Sequence, residues 1–360
     1  MRLHALALVL ALPTCAAAPE PPARPSGSPP GATLSTAARA APTAAPAAEP
    51  PRVEMAAQAK ALQGVVTTLQ ARAFLERAAL LPEVATRALH RKKDKSRYYE
   101  EAAWQALSAE EKAATEPFPA GEEVYYYTKY GSPLSYARPL DILFARGLAL
   151  GAGSKMLDFG YGYAGHLRML ATMGVDASGV DVDPLLPVLY GRPGDQGAVT
   201  GPGGEPGRVR LIDGRFPADP AIVAAVGSGY DLVISKNVLK KGYIHPDRPA
   251  EERFLIKLGA SDEVVLASFF HALKPGGFML VYNICPALTP PDKPFIPWSD
   301  GRSPFTAEQW QKAGFQVLEL DKDDAPAVRV MGRALGWGTG DDTWDLERDL
   351  SVFYTLVKKP

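Results

Sequence analysis

Between Lys155 and Leu167 the chain reads Lys-Met-Leu-Asp-Phe-Gly-Tyr-Gly-Tyr-Ala-Gly-His-Leu, a short apolar strand that passes through glycines into a helix. Glycine is needed where the backbone turns tightly and a ligand must approach it without meeting a Cβ. A second apolar stretch, Ala177 to Val180, ends in Asp181. From about residue 153 to the C-terminus, strand and helix patterns alternate, which predicts a mostly parallel sheet with helices on both faces.

The glycine segment has two spellings. Gly160, Gly162 and Gly165 give G-x-G-x-x-G, with Asp181 where a dinucleotide-binding domain places its ribose-binding acid. Asp158, Gly160 and Gly162 give D-x-G-x-G instead. The two readings part at Asp158. A carboxylate in the turn repels a pyrophosphate docked at the helix N-terminus and favours a ligand carrying an ammonium or sulfonium.

From about Leu140 to Pro360 the chain resembles the class I S-adenosylmethionine-dependent methyltransferases. Leu157 to Gly162 resembles the family's first motif, with Ala164 where a third glycine is common, and Gly179-Val180-Asp181 resembles the second. Leu211 to Gly214 is similar to the third motif, and Tyr230 to Leu239 to the fourth strand and the loop after it. Leu273-Lys274-Pro275-Gly276-Gly277 resembles the kinked entry to the fifth strand, Phe305 to Leu320 the last helix and sixth strand, and Val352 to Val357 the closing strand. The resemblance implies an α/β, doubly wound, seven-stranded and mostly parallel sheet with an antiparallel last strand, the Rossmann-like methyltransferase fold. It also implies S-adenosyl-L-methionine as cofactor, held by Asp158, Gly160, Tyr161, Gly162, Asp181, Val182, Asp213, Gly214 and Ser235. In that reading Asp158 faces the methionine ammonium or a water bound to it, Asp181 accepts from the ribose hydroxyls and Asp213 sits near the adenine amino group.

Methyl transfer is an in-line displacement, so positioning and water exclusion dominate, and a base is needed only for some acceptors. The candidates after the fourth strand are Lys236, Asn237, Tyr243 and His245, of which His245, Tyr243 and Asn237 are the catalytic expectations. The sequence Ser235-Lys236-Asn237-Val238 departs from the Asn/Asp-Pro-Pro-aromatic tetrapeptide of base-modifying DNA enzymes, which disfavours a nucleobase acceptor. The tyrosine run Tyr125 to Tyr130 with Tyr136, and the long stretch Pro286 to Phe305, are candidate walls of the acceptor pocket. Cys285 reads as a packed thiol, and Gly191 to Gly207 as a flexible surface excursion.

Composition limits the alternatives. Lys and Arg number 39 against 40 Asp and Glu, giving a net charge of −1, which lacks the basic excess of a nucleic-acid binder. Two cysteines, Cys15 and Cys285, offer no disulfide framework, and no metal site is expected. The start has a signal-peptide pattern over residues 1–18, a positive charge, an apolar run too short to span a bilayer and a small-residue tail. A second reading makes Cys15 a lipid-anchor site; both place the chain outside the cytoplasm, and an unprocessed start would leave it inside. The composition predicts a Pro/Ala-rich disordered linker over residues 19–51, the periodicity a helical N-terminal appendage or lid over 53–135, and the resemblance a methyltransferase-like domain over 136–360. Ser108 and Glu111 have capping-box spacing. The functional expectation is methyl transfer to a small-molecule or protein acceptor. The alternatives are a degenerate, non-catalytic binding protein of the same fold and a dinucleotide-dependent oxidoreductase.

Overall fold

The centre of the molecule is a strand buried along its whole length, β8 (Tyr230–Lys236), whose apolar middle, Leu232 to Ile234, suits a position flanked by parallel neighbours. Around it the computed structural model, which describes residues 50–127, 130–339 and 344–360, builds an eight-stranded sheet. The expected signal peptide over residues 1–18, with Cys15, and nearly all of the expected linker lie outside the described residues. The remaining strands of this sheet are β4 (Lys155–Phe159), β5 (Asp176–Asp181), β6 (Gly197–Thr200), β7 (Pro206–Asp213), β9 (Leu273–Pro286), β10 (Gln316–Asp323) and β11 (Leu350–Lys358). Their order is β10-β11-β9-β8-β4-β5-β7-β6.

β4, β5, β7, β8 and β9 run parallel, and β11 inserts antiparallel between β9 and β10. This is the doubly wound sheet with an antiparallel closing strand that the resemblance implied. One strand is additional. β6 pairs antiparallel with β7 inside the glycine-rich run read as a flexible excursion, because Gly201 and Glu205 close a hairpin there.

Alternation along the central strands separates two apolar layers. Met156, Leu232 and Leu280 pack on one face of the sheet, and Leu157, Val233 and Val281 on the other. The chain winds outward from β4 through β5 to β7, then crosses to the other side through β8 and β9. The C-terminal tips of β4 and β8 therefore flank the switch point, where such sheets leave a crevice.

The N-terminal appendage is only partly helical, which corrects the expectation for residues 53–135. Helices α1 (Pro51–Leu62) and α2 (Leu69–Glu76) form, the latter capped by Thr68, but a three-stranded antiparallel sheet follows. Its strands are β1 (Arg87–Lys92), β2 (Tyr98–Glu100) and β3 (Thr115–Ala120), with β1 in the middle. Pro117 and Pro119 hide β3 from pattern reading; they are tolerated because β3 is an edge strand, paired with β1 alone. The Ser108–Glu111 capping box is present.

The appendage is fastened to the rest of the chain by buried and half-buried polar contacts. Arg87 and Asp195 form an ion pair at 2.6 Å with both side chains under 10% exposed, and the Tyr125 hydroxyl donates to the same carboxylate at 2.9 Å. Asp141 accepts from the backbone and hydroxyls of Thr67 and Thr68. Among the described residues, no helix is long and apolar enough to cross a membrane.

Candidate functional site

The bend after β4 is shaped by two glycines with different duties. Gly160 has φ +77°, and a Cβ there would stand 2.4 Å from Cγ2 of Val238, so it lets the strand tip pass the loop after β8. Gly162 has φ +56°, and a Cβ there would meet nothing within 4 Å. Its open side belongs to a cavity of about 440 Å³ across the tips of β4, β5, β7 and β8. The third glycine of the motif is different again: a Cβ at Gly165 would strike Pro133 at 2.4 Å, so that position serves packing of the N-terminal segment on the helix.

The cavity gathers most of the expected cofactor residues. Gly160, Tyr161, Gly162, Asp181, Val182, Asp213 and Gly214 all line it. Asp181 and Asp213 are register partners at the ends of β5 and β7, so two carboxylates arrive side by side. Asp181 fixes the bend, accepting from the amides of Gly162 at 2.9 Å, Val182 at 2.6 Å and Asp183 at 3.0 Å. Burial raises its pKa against these bonds, and burial raises that of Asp213 too. Asp183, absent from the sequence expectations, also lines the cavity; burial, with repulsion from Asp181 and Asp213, pushes its pKa up to about 6.

Asp158 does not line the cavity, which corrects the expectation that it faces a ligand directly. It is fully buried and receives the Tyr136 hydroxyl at 2.7 Å and Nε2 of His166 at 2.7 Å on one oxygen, while its other oxygen, Oδ1, has no partner. Burial lowers the His166 pKa, opposed by the facing Asp158 carboxylate. Ser235 is likewise buried and outside the cavity wall, its hydroxyl unpartnered, because alternation along β8 turns its neighbour Lys236 to the opening instead.

The three catalytic expectations separate. Tyr243 and Asn237 line the cavity. Asn237, however, takes φ +65° and spends its side-chain oxygen on the Ile284 amide at 2.8 Å, which makes it the clasp between β8 and β9. His245 is not part of the site. Its side chain is 47% exposed and pairs with Asp262, the first residue of the helix Asp262–Ala272, at 3.0 Å. The backbone turns away at His245 after the short helix Lys241–Ile244, carrying the ring outward.

The remaining walls are aromatic. Tyr127, Tyr130 and Tyr136 come from the tyrosine run, and Phe159, Tyr163 and Phe216 from the strand-tip loops. Ile256, Lys257 and Leu258 close one side; nothing in their local pattern marked them, since they reach the site only through tertiary folding. The stretch Pro286 to Phe305 contributes no lining residue, correcting its reading as an acceptor wall: Trp298 packs on Phe254 and Arg302 pairs with Asp300. Cys285 is a buried thiol hydrogen-bonded with Lys240. Among the described residues, no group of three His, Cys, Asp or Glu side chains is placed to hold a metal ion.

Lys236 stands out within this wall. It is 6% exposed, with Nζ 3.4 Å from the Tyr130 carbonyl and 5.1 Å from the centre of the Tyr136 ring. Burial, helped by the like charge of Lys240 and opposed by Asp158, lowers its pKa to about 7.

No family model matches the chain, and no curated protein matches it. Among solved structures it is similar to phosphoethanolamine N-methyltransferase 2 of Haemonchus contortus, at 15% identity over 69% of this chain and 62% of that one, with a TM-score of 0.39. The chain thus covers less than two thirds of that enzyme's length. It is also similar to the cyclase SpnF, at 18% identity, 63% and 82% coverage and TM-score 0.38. A cyclopropane synthase of Mycobacterium tuberculosis shows 18% identity, 63% and 85% coverage and TM-score 0.37. Likeness this low leaves the chemistry to be read from the cavity's own residues.

Proposed function

We propose that this cavity binds S-adenosyl-L-methionine and that the chain transfers its methyl group to a small-molecule or protein acceptor. The observation that carries the reading is the pairing of an open glycine bend at Gly162 with two in-register carboxylates, Asp181 and Asp213, in one crevice at the switch point. A ligand rich in hydroxyl and amino donors, and positively charged elsewhere, satisfies such a wall. When bound, the cofactor supplies an electrophilic methyl carbon on a sulfonium.

The residues present fit that group. Asp181 keeps acceptor capacity beyond its three amide bonds and would take ribose hydroxyls, and Asp213 would take the adenine amino group. Phe216, Ile256 and Leu258 offer apolar cover to a nucleobase. Asp158 would act from behind the wall, through its unpartnered oxygen and through Tyr136, which it holds in place. The rings of Tyr127, Tyr130 and Tyr136 would exclude water from the reacting atoms.

The dinucleotide reading is disfavoured by one hydrogen bond. The Gly162 amide, which a docked pyrophosphate would use, donates to Asp181 instead. Calorimetry with S-adenosylhomocysteine and with a reduced dinucleotide tests the choice. Binding of the former, weakened roughly tenfold or more in Asp181→Asn, supports the proposal. Binding of the dinucleotide alone rejects it. Cofactor binding without turnover on any acceptor in a broad panel favours the non-catalytic alternative. The export reading belongs to the same proposal, and mass spectrometry of the mature N-terminus, seeking processing at Cys15 or Ala18, tests it.

A further inference from the structure

A buried lysine ordinarily has a carboxylate against it, because an unpaired ammonium in a poorly hydrated site is costly. Lys236 has none within ion-pairing distance among the described residues, yet it forms part of the cavity wall. The groups that face it are accounted for. Asp158 at the tip of β4 attracts its charge from a distance, while Lys240 beyond β8 repels it. His166, on the helix after β4, is itself pushed toward neutrality by Lys236. From the segment above come the Tyr130 carbonyl and the Tyr136 ring face. Six tyrosines and two phenylalanines share the wall.

We propose that Lys236 is the catalytic base of this site and that the acceptor is an aromatic compound with an ionisable hydroxyl, seated among the rings with its oxygen against Nζ. This deepens the methyl-transfer reading and rests on it. The neutral amine takes the hydroxyl proton, and a lone pair of the acceptor oxygen forms the new bond to the methyl carbon. The electrons of the breaking carbon–sulfur bond leave with sulfur, so the sulfonium becomes a neutral thioether. The lysine ammonium then returns its proton to water. A base whose pKa lies near neutrality is suited to this step, since a useful fraction is unprotonated while it still holds a proton once transferred.

The test uses para-nitrophenol, whose ionised form has its own absorption band, with the full chain and no cofactor. In wild type the bound probe is expected as phenolate at a pH where the free probe is mostly neutral, and its ionisation midpoint falls by about one pH unit or more. In Lys236→Met the midpoint returns to that of the free probe and affinity drops roughly tenfold. An unshifted midpoint in wild type, no binding, or an equal shift in Lys236→Met overturns the inference. The wild-type measurement stands even where the variant fails to fold. S-adenosylhomocysteine calorimetry keeps the two readings apart. Probe ionisation without nucleoside binding retains the lysine site and defeats the cofactor reading, and nucleoside binding with a neutral bound phenol does the reverse.

Discussion

The Tyr136 hydroxyl donates to Oδ2 of Asp158 at 2.7 Å, and the Tyr136 ring stacks with its centre 3.6 Å from that of His166, which meets the same oxygen. One side chain thus ties the segment above the cavity to β4 and to the helix after it. Tyr136→Phe keeps the ring and removes a donor to a buried carboxylate. It is expected to cost about 1.5–3 kcal/mol in urea unfolding, within the range for hydrogen bonds to charged groups. A loss below half a kilocalorie would mean the hydroxyl is dispensable there.

The two glycines of the bend should fail in different ways. Gly160→Ala places a methyl against Val238 in a left-handed conformation, so the fold itself is expected to lose about 2–4 kcal/mol. Gly162→Ala meets open space and pays chiefly the left-handed backbone cost of about 1–2 kcal/mol. Its larger effect is on ligand approach: S-adenosylhomocysteine binding by a folded Gly162→Ala protein is expected to weaken at least tenfold. Equal binding to wild type would place the ligand elsewhere.

Asp183 gives the molecule a pH signature. Its carboxyl is held up to about 6 by burial and by Asp181 and Asp213, so the folded state holds a proton that the free chain releases from about pH 4 upward. Stability from this group is therefore present at low pH and lost as pH rises through 6. Asp183→Asn keeps the acceptor for the Leu185 amide and removes the charge. It should stabilise the ligand-free protein by about 1–3 kcal/mol near pH 7.5 and hardly at all near pH 4, as read by thermal unfolding. Equal effects at both values would mean the carboxylate titrates normally.

How much of this was legible before the fold depended on whether a feature is local. The bend at Gly160 and Gly162, the acid closing β5 and the antiparallel closing strand are written in short segments whose geometry follows from the residues themselves. Asp158 shows the limit of that legibility. Its position in the motif was readable, but its orientation depends on Tyr136 and His166, which the fold brings to it from either side. His245 was misplaced for a similar reason: proximity in sequence to the end of β8 says nothing of the exit direction after Ile244. Leu258 and Ile256 carry no chemistry to notice, and β1 and β3 were obscured by charged and proline positions on a small sheet.

Lys236 supplies the opposite pH signature to Asp183. The free chain protonates this lysine near its ordinary value of 10.5, whereas the folded chain waits until about 7, because burial disfavours the ammonium. Its contribution is therefore fully present above the ordinary value and is lost as pH falls toward 7. Lys236→Met replaces the stem with an apolar chain of similar length and removes the group that must be charged or desolvated. The variant is expected to be more stable than wild type by about 2–4 kcal/mol near pH 6.5, with the difference shrinking toward zero near pH 10.5. Thermal unfolding at both values reads this directly, without cofactor or acceptor. A variant that is less stable at the lower value would show that Lys236 is held there for packing and charge balance against Asp158, and the base assigned to the site would have to be sought in another residue.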